Sequence, residues 1–139
     1  MNQPTTTQGD ILAYLDRVIS KREQSAQEAR DGGEGRWHSG WREDYFACPD
    51  DKPEEGETIG SGVSDERDRT VVYDEGRPSK AQSIHIALND PESVLRRCAA
   101  DRKMIGLMAT ETSETGGQPL ASRLLRQLAE GYGWTEGAL

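Results

Sequence analysis

The chain has 139 residues, 33% hydrophobic and 30% charged, with a formal net charge of -8. That length suits one domain of ordinary size, and a mean hydropathy of -0.84 leaves material for only a small core. No run of about 18 apolar residues exists to span a membrane as a helix, and a sequence pI near 4.8 opposes general nucleic-acid binding, which needs a basic footprint.

The first six residues read as a disordered leader. The opening MNQPTTTQGD has neither the basic start nor the apolar centre of a secretory signal, so the expected compartment is the cytoplasm. Thr7 and Asp10 stand in capping-box positions, and Ile11, Leu12, Leu15, Val18, Ile19 and Ala26 then mark one face of a helix. Asp16, Arg17, Lys21, Glu23 and Glu28 cover the other face, and the helix should fade near Arg30 and stop at Gly32-Gly33.

In residues 36–47 aromatics appear and the helical period goes, and the glycines there favour extended structure. Trp37, Trp41 and Tyr45 are four apart and share a face. Between Glu43 and Asp68 lie ten acidic residues opposed only by Lys52 and Arg67, so this stretch alone accounts for the whole net charge of -8. Residues 49–68 read as a long acidic loop with a short strand near Thr58–Val63. Thr70–Tyr73 is the clearest strand, closed by Asp74-Glu75-Gly76. An economical sheet pairs the Trp37–Ala47 region with Thr70–Tyr73, the acidic stretch being their connection.

The best-specified stretch is Ser83–Met108. A short apolar helix with Ile84, Ile86, Ala87 and Leu88 runs into Asn89-Asp90-Pro91, where Asp90 suits an N-cap and Pro91 the first helical position. Val94, Leu95, Cys98, Ile105 and Met108 then recur at three-, four- and seven-residue steps, the stripe of a helix packed on a core. Thr110–Gln118 reads as an exposed linker. Pro119 opens a last helix with Leu120, Leu124, Leu125 and Leu128 on one side and Arg123 and Arg126 on the other, ended by Gly131. Tyr132-Gly133-Trp134 folds back onto the helices or frays, and residues 135–139 form a flexible tail.

These elements define an α+β fold. It is a small antiparallel bundle of three main helices plus a short one, with a small antiparallel sheet or hairpin between the first and second helices, as one domain over residues 7–134. So small a core is compatible with a monomer or with a homodimer that covers further apolar surface.

The segments ILAYLDRVISKREQSAQEA, RWHSGW, HIALNDPESVLRRCAADRKMI and LASRLLRQLAEGY follow one another in this order. The arrangement resembles DUF6221, an uncharacterised family of small actinobacterial and actinophage proteins. Its hallmark is carried here by His85, Ile86, Ala87, Asp90, Pro91, Val94 and Leu95. The resemblance covers both helical ends but not residues 43–75. It implies an actinobacterial or phage source and carries no activity with it.

Among single residues, His85 draws attention first. Its ring could bond Asp90 or cap the following helix, whereas metal or base chemistry would need His38, which lies in a different element. Cys98 falls on the apolar stripe and reads as a small core residue; Cys48 sits among acids that would raise its pKa. The two have no metal-site spacing and read as free thiols. Trp37, Trp41 and Tyr45 form a partner surface or pack the sheet onto helices. Asp50, Asp51, Glu54, Glu55 and Glu57 form a solvated loop, a weak calcium site without the EF-hand pattern, or a mimic of nucleic-acid phosphate. No Walker A, dinucleotide, HExxH or nucleophile-elbow motif is present, and no cofactor is expected.

The favoured reading is therefore a non-enzymatic accessory or interaction protein that touches a protein partner through its acidic or aromatic middle. The runner-up is a small metal-dependent enzyme using His85, His38 and carboxylates. Third comes an acidic nucleic-acid mimic, or a helix-turn-helix reader on Ile84–Met108 with Arg96, Arg97, Arg102 and Lys103 as its basic face.

Overall fold

A computed structural model describes residues 6–40, 62–72, 78–114 and 119–135. Along the chain come α1 (Gln8–Ala29), β1 (Trp37–Ser39), β2 (Val63–Asp65), β3 (Thr70–Val72), α2 (Lys80–Leu88), α3 (Pro91–Glu114) and α4 (Pro119–Gly131). The fold is α+β, with a three-stranded antiparallel sheet between the first and second helices. The chain divides into two compact units, one of Met1–Ser25 with Leu95–Leu139, the other of Ala26–Val94.

In the first unit α1 begins where the capping box predicts. The Thr7 N–H and hydroxyl donate to Asp10 Oδ2 at 2.8 and 2.7 Å, and the Asp10 N–H donates back to Thr7 Oγ1 at 3.2 Å. Ile11 and Leu15 of α1 bury themselves with Leu125, Ala129 and Trp134, and Leu12, Ile105, Met108 and Leu128 pack around them. The Ser122 hydroxyl donates to Gln8 Oε1, and the Tyr14 hydroxyl to the Tyr132 carbonyl, so α1 and α4 run the same way. Arg102 reaches Glu23, while Ile105 and Met108, further along α3, pack against the cluster that holds Ile11 and Leu15. Helix α3 therefore runs against both.

One expectation for this unit changes and another is refined. Thr110–Glu114 is not linker but the last turn of α3; the Thr110 hydroxyl donates to the Gly106 carbonyl at 2.9 Å, so the helix itself satisfies it. Gly131 is the last residue of α4, as expected, but the left-handed turn that closes the helix lies two residues further on. The chain turns at Gly133, whose φ of 94° lies in the left-handed region that glycine adopts without strain. There the Trp134 N–H donates to the Ala129 carbonyl at 2.9 Å and the Gly133 N–H to the Glu130 carbonyl at 2.9 Å, a Schellman closure. The closure folds Trp134 back into the core rather than leaving it to fray.

In the second unit the strand order is β1-β2-β3. Trp37 faces Asp65 and Ser39 faces Val63 across the first pair, and Val63 faces Val72 across the second. The Trp37 region thus pairs with Val63–Asp65 and not directly with Thr70–Val72; this strand starts at the last residue of the short strand expected near Thr58–Val63 and runs on to Asp65. A tight turn causes this: the Asp65 N–H donates to the Arg69 carbonyl at 3.0 Å and the Asp68 N–H to the Asp65 carbonyl at 2.9 Å, so β2 and β3 close locally. Helix α2 lies against β1 and β2. Ser79 and Gln82 form its capping box. Ser83, not an aliphatic residue, is its buried position, with its hydroxyl donating to the Lys80 carbonyl at 3.0 Å; Ile84 and Leu88 are exposed.

Candidate functional site

Three groups of polar side chains and one apolar face could carry function. In the first unit Asp101, on α3, is 1% exposed. Its carboxylate accepts the Arg97 Nε–H at 3.0 and 3.2 Å and the Tyr132 hydroxyl at 2.5 Å, which satisfies a buried charge. Burial, then the bond to Asp101, pushes the Tyr132 hydroxyl well above the ordinary tyrosine range. The Arg22 guanidinium lies over the Tyr132 ring at 4.6 Å. Cys98 is a buried free thiol nearby; burial, then Glu23, pushes it up, which favours the unreactive thiol over the thiolate.

Arg102 organises a second group. It donates to Glu23 at 2.9 and 2.8 Å, to Asp16 at 2.9 Å and to the Ser20 hydroxyl at 2.9 Å. The hydrogen bond from Arg102 holds the Glu23 carboxyl below its ordinary range, and Glu23 and Asp16 push Arg102 further up. This fork ties α3 to α1.

The third group lies in the second unit. Asp65 is buried, which alone would raise its pKa, but N–H groups of Arg69 and Arg67 and the Arg69 guanidinium together hold it below the carboxylate range. Arg69 also donates to Asp31 at 2.9 Å, and Arg67 to the Gly32 carbonyl, so the β2–β3 turn is tied to the chain leaving α1. Asp90 is 7% exposed: Oδ1 accepts the Ser93 N–H at 2.7 Å and Oδ2 the Trp37 N–H at 3.1 Å. Beside it the Glu92 N–H donates to the Gly35 carbonyl at 3.0 Å. All three groups act within the fold, as ties between its elements.

The apolar face is different. Leu107 on α3 is 70% exposed and Leu120 on α4 is 62% exposed, and Met104 and Leu124 are also open to solvent. Leu107, Met108, Glu111, Leu120, Ala121 and Leu124 line a groove of about 240 Å³ between the two helices. The phase of α4 sets the exposure. Ala121, Leu125 and Ala129 take the inward face of α4, so Leu120 and Leu124, expected on that face, fall outside it.

The model of the family of unknown function DUF6221 matches residues 8–133, nearly the whole chain. The chain belongs to DUF6221. No curated protein and no solved structure matches it. The DUF6221 match takes in both the ties and the apolar face, from the first turn of α1 to the Gly133 turn.

Within this DUF6221 chain the hallmark residues divide. Asp90 and Pro91 are buried at the α2–α3 junction, Val94 and Leu95 are half-buried, and His85 is exposed on α2, its carbonyl accepting the Asn89 side-chain amide at 2.8 Å. His38 is exposed on β1 with Asp68 at 3.7 Å. Among the described residues no three His, Cys, Asp or Glu side chains are grouped to hold a metal ion. Trp37 is half-buried with its N–H on Asp90, while Trp41, Tyr45, Asp50, Asp51, Glu54, Glu55 and Glu57 lie outside the described residues, as does Cys48. Of the basic residues offered for a helix-turn-helix, Arg97 is paired with Asp101 and Arg102 with Asp16 and Glu23. No described helix is long and apolar enough to cross a membrane. Leu107 and Met104 were not legible as site residues, although apolar residues at 104, 105, 107 and 108 form a band wider than one core stripe.

Proposed function

We propose that this protein is a non-enzymatic interaction module, and that the α3–α4 face is its contact surface for the apolar helical face of another protein chain. One observation carries the reading: large aliphatic side chains from two neighbouring helices, Leu107 foremost, stand exposed around one groove. Grouped apolar exposure of this kind is costly in water and marks protein–protein contact surfaces. A trough between two helices suits a third helix laid along it, whose apolar side chains fill the groove while polar residues stay at the rim. The satisfied state of Asp101, Arg102, Asp65 and Asp90 supports the same reading, since each is engaged in holding the fold.

The test places a photo-reactive phenylalanine analogue at Leu107 and, as a control, at exposed Lys21 on α1. Irradiation of the full chain under native conditions should give a protein–protein adduct from position 107 and none from position 21. Absence of any adduct at 107 would remove the reading.

A further inference from the structure

We infer that the chain covering the α3–α4 face is a second copy of this protein, docked by a two-fold crossing of α3 on α3 about Leu107. The inference rests on that face being a contact surface, as proposed above. Lys103, Leu107 and Glu111 follow one another along α3 at four-residue steps, so they share one side of the helix, and all three are exposed. A cation thus stands one turn before the most exposed leucine and an anion one turn after it.

A two-fold axis through Leu107 sets the second α3 antiparallel to the first and pairs positions equally distant from the axis. Leu107 meets Leu107, and Lys103 of each copy meets Glu111 of the other, giving two opposite-charge pairs around an apolar centre. A parallel crossing in register would instead set Lys103 on Lys103 and Glu111 on Glu111, and like charges facing each other oppose association. The antiparallel crossing also brings Leu107 of one copy towards the groove walls of the other, Leu120 and Leu124, with Met104 at the rim. One helix therefore carries both halves of a self-complementary pattern, which a surface for an unrelated partner has no need to do.

Sedimentation equilibrium of the full chain over a concentration series tests this. The expected result is a monomer–dimer equilibrium that Leu107→Asp shifts to monomer. Lys103→Glu and Glu111→Lys should each weaken the dimer about tenfold or more, because each turns both pairs repulsive. The double variant Lys103→Glu/Glu111→Lys should return towards the unsubstituted affinity, because opposite charges face each other again. All three positions are exposed, and an unchanged circular-dichroism melt shows that each variant is folded. A chain that stays monomeric, a dimer indifferent to Leu107→Asp, or a double variant no better than the singles would overturn the inference. A monomeric chain whose position-107 probe still captures a different protein would overturn the self-pairing alone. A probe that captures nothing would overturn both readings.

Discussion

Asp90 joins two elements with one carboxylate, capping α3 through the Ser93 N–H and holding β1 through the Trp37 N–H. An N-cap substitution costs about 0.5–2 kcal/mol, and a buried N–H left without an acceptor about 1–3. Asp90→Ala should therefore cost about 2–4 kcal/mol, more than a cap alone, and Asp90→Asn, which keeps one acceptor, distinctly less; urea midpoints of the two variants give the comparison. Asp65 makes a different forecast, because its carboxyl is held below the ordinary range. Such a group stabilises fully above the unfolded carboxylate pKa of about 4, and the contribution is lost as pH falls through the lower folded value. Stability should decline below about pH 4, and Arg69→Gln, which moves the folded value back towards the unfolded one, should shrink the drop between pH 5 and pH 2.5. Equal drops in the two proteins would mean that other carboxylates govern the acid limb. Burial of Cys98 adds a simple chemical check: its thiol should resist alkylation at pH 8 until denaturant opens the first unit.

The elements show where sequence patterns suffice and where they fail. Thr7 with Asp10 and Asp90 with Pro91 are local signals, since the side chain that ends or starts the helix is itself in the pattern; α1 and the α2–α3 break were therefore legible. The sheet was not. A run with Asp65, Glu66 and Asp68 reads as solvated loop unless something neutralises the charge on the inward residue, and Arg69 does so only once the turn has formed. The exposed face escaped for a related reason: four leucines of α4 look like one stripe, and only the packed bundle shows that Ala121 and Ala129 fit the close contact instead. Gly35 is the least legible of the structural residues. Its φ is +84°, and a Cβ there would lie 2.7 Å from Arg30 Cγ and 2.9 Å from Pro91 Cβ. Gly35→Ala should cost about 2–4 kcal/mol from backbone strain and overpacking together. Gly106→Ala, inside α3 with nothing within 4 Å of the added carbon, should add about 0.5–1 kcal/mol of helix stability. Thermal melts of the pair, on the same scan, should move in opposite directions.

At the scale of the whole molecule, a net charge of -8 sets how association should respond to salt. Two copies approaching each other repel over long distances, and that repulsion is strongly screened as the Debye length falls from about 30 Å at 0.01 M to about 8 Å at 0.15 M. The proposed Lys103–Glu111 pairs lie in direct contact and lose less to screening, and the leucine contacts at the centre lose nothing. Self-association through the α3–α4 face should therefore tighten as salt rises over this range. Binding of a basic partner by the acidic stretch between Glu43 and Asp68 should do the reverse, because there the attraction itself is long-range charge. Sedimentation equilibrium at about 0.01 and 0.15 M salt separates the two. A dissociation constant that falls with salt, and rises again in Leu107→Asp at either concentration, places the association on the apolar face. An association that weakens steeply with salt and ignores Leu107→Asp would instead assign it to the acidic stretch.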